Sequence, residues 1–195
     1  TDLHECLGHG SGKLLPNVDS EALRSYGSTI EEARADLFGL YYIADPKLVE
    51  LNLTPDAEAY KAQYYSYLMN GLLTPMIRIE EGQLLEKAHM RKRALICNRV
   101  LEHYPTAVQI VCKNGKHFVC ISNYPLLRNA FGELLAEVQR IKSEGDFAAA
   151  RKLVEQCGIK LNPKLHREIL KRHKQLNLAP YKGFINPKYE LVQNK

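Results

Sequence analysis

The sequence predicts a mainly helical protein that contains one β-hairpin near residues 107–122. Two observations support this fold class. Apolar residues recur with the period of an amphipathic helix along most of the chain. That period changes in the segment AVQIVCKNGKHFVCIS, where two runs rich in β-branched residues flank Asn114-Gly115. An Asn-Gly pair in this setting is typical of a two-residue hairpin loop.

The first half of the chain is predicted to consist of helices joined by short loops. Ser28 or Thr29 is a suitable N-cap, because its hydroxyl can accept a hydrogen bond from the first helical turn. Thr54 followed by Pro55 is a second start signal. We therefore expect the end of a helix at 1–9, a loop at 10–27, and helices at about 28–44, 47–52, 55–73 and 80–102.

The second half contains the hairpin and three further helices. Its predicted elements are strands near 107–112 and 117–122, helices at about 125–143, 146–157 and 163–175, and an extended tail from 179 onward. The short basic run Arg91-Lys92-Arg93 is typical of a solvated helix face.

Composition excludes several classes of protein. Of the 195 residues, 27 are Lys or Arg and 22 are Asp or Glu, and the net charge of +5 is spread along the chain, which argues against a nucleic-acid-binding surface. No apolar run is long enough for a membrane span. Five widely spaced cysteines favour buried free thiols in a reducing compartment over a disulfide framework. Because the chain opens on Thr1 and motif residues follow at once, we expect it to be a fragment.

The sharpest motif is the group His4, Glu5 and His9. Two histidines that flank a glutamate indicate a zinc site in which the glutamate activates a metal-bound water. On a regular helix, residues five apart differ by about 140° and cannot share an ion. The spacing works if the helix is widened into a π-type turn, which Gly8 would ease. The alternative is two unrelated histidines at a helix end.

A second group of acids follows in STIEEARADLFGLYY. Glu32 and Asp36 are four residues apart and share a helix face. A zinc site with two histidines needs a third protein ligand and an acid that orients an imidazole, and this pair fits those roles. The alternative is an acidic first helical turn that the helix dipole stabilises.

Together, HECLGHGSGKL and EEARAD resemble the dipeptidyl peptidase III family of zinc exopeptidases, which carry H-E-x-x-G-H and E-E-x-R-A-E/D. The resemblance implies a single zinc ion as cofactor and Glu5 as the general base. It implies that three side chains bind the ion and that two further carboxylates hold the histidines: the ligands are His4, His9 and Glu32, and the supporting acids are Glu31 and Asp36. In addition, KAHMRKR resembles the A-H-M-x-x-R segment of the family, which implies that His89 lies near the reacting carbonyl and Arg93 lies in the cleft.

The resemblance extends over residues 1–195 and implies the helical, zinc-binding lobe of a two-lobed metallopeptidase. It implies an enzyme that releases dipeptides from the N-terminus of short peptides, and the expected free thiols indicate a cytoplasmic location. We expect the N-terminal lobe of the same enzyme to be missing, so that this chain alone would be nearly inactive. Two other functions remain open: a non-catalytic helical interaction module that retains a structural zinc site, and a zinc endopeptidase.

Overall fold

A computed structural model describes residues 2–178, so the predicted extended tail lies outside the described residues. A π-helix, Leu3–His9, opens the chain. The remaining helices and strands follow in this order: α1 Gly27–Tyr42, α2 Pro46–Glu50, α3 Ala59–Leu72, α4 Ala88–His103, β1 Val108–Lys113, β2 Lys116–Ile121, α5 Tyr124–Glu144, α6 Phe147–Leu153, which continues into a π-helical turn at Val154–Gly158, and α7 Pro163–Gln175. The predicted mainly helical fold with one hairpin is confirmed. No helix in this part of the chain is long and apolar enough to cross a membrane.

Helix α1 lies at the centre of the molecule and packs against the π-helix, α4 and α5. Its buried residues are therefore spread around the helix rather than confined to one stripe. Ile30 and Leu37 belong to the main core, where they join Tyr64 of α3, Leu95 of α4 and Phe131 of α5. This central position matters for the site, because α1 carries all three carboxylates of the EEARAD motif.

The hairpin forms where the Asn-Gly pair predicts it. Val108 pairs with Ile121, and the register runs to Lys113 opposite Lys116. Asn114 and Gly115 have φ angles of +52° and +70°, the left-handed values that this short loop needs.

One predicted helix cap and two predicted helix starts are wrong. Neither Ser28 nor Thr29 caps α1, because a 3₁₀ turn at Arg24–Tyr26 runs directly into the helix. Helix α3 begins at Ala59 rather than at Pro55, since Asp56 accepts a hydrogen bond from the Glu58 amide and forms a local turn that competes with the helix.

Helix α4 begins at Ala88 instead of near residue 80. The preceding segment is held in a different conformation, because the Leu85 amide donates to the carbonyl of Ile159 at 3.0 Å. Buried Leu85 is therefore anchored to the turn after α6 rather than to a helix of its own.

The five cysteines are all free. The expectation that they are buried holds for Cys97 and Cys157 but is wrong for Cys6, Cys112 and Cys120, which are exposed. Cys6 lies on the short opening helix, and the other two lie on solvent-facing positions of the hairpin.

Candidate metal centre

The opening helix is a π-helix, and this confirms the widening that the five-residue spacing of His4 and His9 requires. The amide of Gly10 donates to the carbonyl of Glu5 at 3.0 Å, a hydrogen bond between residues five apart. As a result, the two imidazoles lie next to each other on one side of the helix, and their Nε2 atoms are 3.1 Å apart.

Gly8 lets the π-helix approach α1. A Cβ atom at position 8 would lie 2.6 Å from the Cα of Ala35, which is too close for any side chain. The contact is locked by Arg34, which is fully buried and donates from Nη2 to the Gly8 carbonyl at 2.6 Å. The same guanidinium also donates to both carboxylate oxygens of Glu31. Arg34 and Ala35 of α1 therefore fix the distance between α1 and the π-helix.

Each imidazole is held by a carboxylate of α1. His4 Nδ1 donates to Asp36 at 2.8 Å, and His9 Nδ1 donates to Glu31 at 2.9 Å. An ionised carboxylate can only accept, so each Nδ1 carries a proton, and in its neutral form each ring presents a lone pair at Nε2. Two lone pairs that face each other at 3.1 Å repel unless a proton or a cation lies between them. The arrangement is therefore suited to binding a cation.

Glu32 lies on the open side of this pair. Its two oxygens are each 3.9 Å from an imidazole nitrogen, Oε2 from His4 Nε2 and Oε1 from His9 Nε2. A tetrahedral zinc ion with bonds of about 2.0–2.1 Å separates its ligand atoms by about 3.3 Å. The residues present therefore fit zinc after adjustments of less than about 1 Å.

Glu5 also lies near the two histidines. Ligand atoms of His4, Glu5 and His9 all lie within 4.8 Å of one another. Distance alone does not separate the ligand from the base, but the surroundings of the two carboxylates differ. Glu5 is exposed, whereas the Glu32 side chain is 21% exposed and is fixed by an ion pair. A fixed carboxylate suits a ligand, and an exposed one suits a group that moves a proton.

One residue of the basic run Arg91-Lys92-Arg93 on α4 is buried, so the prediction that this run is a solvated helix face is wrong for it. Lys92 is buried, and its ammonium lies 2.6 Å from Glu32 Oε2 and 3.3 Å from Asp36 Oδ1. The signal was present in the helical spacing, because Lys92 lies three and four residues before the buried residues Leu95 and Ile96.

Two further side chains complete the support of the acids, and neither was singled out from the sequence. The hydroxyl of Tyr67 donates to Asp36 Oδ2 at 2.7 Å, and the ammonium of Lys142 donates to Glu31 Oε2 at 2.6 Å. They come from α3 and α5, far away in the chain, so only the tertiary structure reveals them.

The basic partners of Glu31 and Glu32 keep these two carboxylates ionised. Burial by itself would raise the pKa of Glu31, but the hydrogen bonds from Arg34, Lys142 and His9 outweigh burial and lower that pKa to about 2. Glu32 behaves in the same way: burial opposes ionisation, and the hydrogen bond and charge of Lys92 lower its pKa.

His89 and Arg93 follow on α4. His89 Nδ1 lies 3.3 Å from Glu32 Oε2 while the side chain is 73% exposed, so the ring stands at the rim of the centre. Arg93 is also exposed, one helical turn later. The structure thus brings His4, Glu5, His9, Glu32 and His89 together and leaves Arg93 farther along the same surface.

A cavity of about 460 Å³ opens beside the centre. His4, Cys6, Asp36 and Tyr67 line one part of it, and apolar residues such as Leu40 line another part. A partly apolar hollow next to a cluster of ligating side chains is the usual setting for a binding site.

Comparisons with known proteins decide the family. The model of a family described as "Peptidase family M49" matches residues 17–194. The chain belongs to peptidase family M49. The match contains Glu31, Glu32 and Asp36 but begins after the π-helix, so the two histidines are supported by their geometry and by the motif rather than by this match.

Curated relatives of this M49 chain carry the name dipeptidyl peptidase 3. The proteins of Mus musculus and Homo sapiens are each 28% identical to it, over 78% of this chain and 26% of their own length. The protein of Nematostella vectensis is 26% identical over 79% of this chain and 27% of its own length. The resemblance to the dipeptidyl peptidase III family is therefore confirmed, and the chain spans about a quarter of the length of these relatives.

Two solved structures have a fold similar to that of this chain. Dipeptidyl peptidase III from Caldithrix abyssi superposes with a TM-score of 0.63 at 25% identity and covers 87% of this chain and 31% of its own. The enzyme from Corallococcus sp. strain EGB gives a TM-score of 0.65 at 22% identity, over 89% of this chain and 30% of its own, which supports the fold.

Proposed function

We propose that this M49 chain carries the metal-binding half of the active site of a zinc-dependent dipeptidyl peptidase. The observation that carries the proposal is the pair of imidazole Nε2 atoms 3.1 Å apart, each ring fixed by its own carboxylate, with Glu32 oxygens 3.9 Å from both. This donor set of two imidazoles and one carboxylate suits a catalytic zinc ion, because three protein ligands leave one position for water.

In this proposal His4, His9 and Glu32 hold the ion, while Glu31 and Asp36 keep the imidazoles in the required orientation and tautomer. When bound, zinc lowers the pKa of a water ligand towards neutrality and so supplies a nucleophile. The remaining work falls to side chains of the chain itself.

Glu5 accepts a proton from the attacking water and delivers it to the leaving amine. Its exposure and its position beside both histidines support this role, because a general base must lie within reach of the water and remain free to turn towards the substrate. His89, at the rim, donates a hydrogen bond to the oxygen of the reacting carbonyl. Arg93 binds the peptide farther along the same surface.

Dipeptide release requires a group that captures the free ammonium of the substrate. We place that group, and the opposite wall of the cleft, in an N-terminal lobe outside this chain. The relatives extend well beyond the quarter of their length that this chain covers, which leaves room for such a lobe. Short peptides are then the substrates, and the five free thiols favour a cytoplasmic location.

Zinc binding by this chain tests the proposal. Metal-free protein is titrated with zinc against a colorimetric chelator, and His9→Ala is titrated in parallel. We expect one zinc ion per wild-type chain and a loss of more than about tenfold in affinity in the variant. A wild-type chain that takes up no zinc, or a variant that binds as well as wild type, would overturn the proposal. Hydrolysis of peptides of increasing length by a longer M49 protein that carries this site then separates a dipeptidyl peptidase from an endopeptidase.

A further inference from the structure

Lys92 of α4 places a positive charge against the acids of the metal centre. Its side chain is 6% exposed, and its ammonium lies 2.6 Å from Glu32 Oε2 and 3.3 Å from Asp36 Oδ1. Asp36 also accepts from His4, and Glu32 faces both histidines. One ammonium therefore contacts a proposed zinc ligand and the acid that supports another ligand.

This placement has opposite consequences with and without a metal ion. Without the ion, two carboxylates four residues apart on α1 repel each other at low solvent exposure, and the Lys92 charge balances them. With the ion bound, the ammonium and the divalent cation share the same carboxylate and repel each other. A group that stabilises the metal-free state more than the metal-bound state must weaken metal binding, by thermodynamic linkage.

We propose that Lys92 is a built-in counter-cation, a positioning residue that holds Glu32 in place in the metal-free protein and lowers the affinity of the centre for zinc. The inference rests on the proposed function, since it takes Glu32 as a zinc ligand. It differs from a plain structural ion pair, whose loss would destabilise both states equally and leave zinc affinity unchanged. It also differs from a lysine that only holds Glu32 ready to bind zinc, because loss of such a lysine would weaken zinc binding.

The test uses Lys92→Met, which keeps most of the length of the side chain and removes its charge. Zinc affinity is measured by chelator competition, and the unfolding temperature is measured on the metal-free and zinc-loaded proteins. We expect Lys92→Met to bind zinc about tenfold or more tightly than wild type. We also expect its metal-free form to unfold at a lower temperature and to gain more from zinc. Lys92→Arg restores the charge and should return zinc affinity towards wild type.

Lys61→Met is the matched control, because Lys61 is a partly exposed lysine of α3 that pairs with Glu58. It should leave zinc affinity unchanged. If Lys92→Met does not fold, the comparison is repeated in an Asp36→Asn background, which removes one of the two carboxylate charges that repel each other. In that background Lys92→Met should again bind zinc more tightly than Asp36→Asn alone.

The two proposals fail in different ways. A wild-type chain that binds no zinc refutes the proposed function, and the inference with it. A wild-type chain that binds zinc while Lys92→Met binds it equally or more weakly, in the wild-type or the Asp36→Asn background, refutes the counter-cation alone.

Discussion

Gly8 of the π-helix rests directly on Ala35 of α1, with room for a hydrogen atom but not for a methyl group. This contact sets how close the helix that carries both histidines comes to the helix that carries all three acids. The metal centre is thus built by backbone packing, and the polar contacts follow from it.

Gly8→Ala tests that relationship. An added Cβ would lie 2.6 Å from Ala35 Cα, so the two helices must separate. We expect a loss of about 1–3 kcal/mol in the free energy of unfolding and a marked loss of zinc affinity. Gly27→Ala is the control, because its nearest neighbour would be an ordinary 3.7 Å contact in helical backbone. It should fold and bind zinc like wild type. Equal zinc affinity in the two variants would show that the close approach is not required.

Glu5→Gln and Glu32→Gln separate the base from the ligand. Both carboxylates lie near the histidines, but only Glu32 is fixed by Lys92. We expect Glu5→Gln to keep zinc affinity near that of wild type while peptide hydrolysis by a longer M49 protein with this site collapses, because the proton acceptor is gone. Glu32→Gln should lower zinc affinity itself. The reverse result in chelator competition would exchange the two roles.

Asp36→Ala tests the support of His4. The carboxylate accepts from His4 Nδ1 and from Tyr67, so its loss frees the imidazole to turn and to change tautomer. We expect zinc affinity to fall by about 10–100-fold. Measurement of zinc affinity for Tyr67→Phe provides a milder comparison, since it removes one hydrogen bond from Asp36 and keeps the carboxylate. An effect of Tyr67→Phe larger than that of Asp36→Ala would contradict the assigned support.

Arg34→Met tests the lock between the two helices. Arg34 is fully buried and donates to Glu31 and to the Gly8 carbonyl, so the variant removes the buried, charge-assisted hydrogen bonds that join the π-helix to α1. We expect a loss of about 3 kcal/mol in the free energy of unfolding by denaturant titration. Arg140→Met removes an arginine from an exposed ion pair and should change that free energy little. Similar losses in both variants would contradict the lock.

The 195-residue chain should have little dipeptidyl peptidase activity even with zinc bound. Loose positioning of a substrate costs about 100-fold or more in rate, and we place the ammonium-binding groups outside this chain. A fluorogenic dipeptide substrate tests this against a complete dipeptidyl peptidase 3. Turnover within about tenfold of that enzyme would show that the chain contains the whole site.

Much of the centre follows from local rules. The spacing of His4 and His9 demands a widened helix, and the four-residue separation of Glu32 and Asp36 puts both on one face. The Asn114-Gly115 loop likewise fixes the register of the hairpin, because few other residues adopt its left-handed backbone.

The remainder depends on contacts between distant segments. Asp56 accepts a hydrogen bond from the Glu58 amide and forms a local turn, so α3 begins after the Thr54-Pro55 start signal. The helical spacing of Lys92 indicates that it lies on the buried side of α4, but only the packing of α4 on α1 identifies Glu32 as the partner of its ammonium. Such partners are set by tertiary packing, which residue type and spacing do not encode locally.

Anomalous scattering at the zinc edge, recorded from crystals of the zinc-loaded chain, tests the central claim most directly. We predict one peak at bonding distance, about 2.0–2.2 Å, from His4 Nε2, His9 Nε2 and an oxygen of Glu32, with Glu5 facing the ion without binding it. A peak bound instead by Glu5, by Cys6 or by the Nδ1 atoms, or no peak at these histidines, would contradict the account.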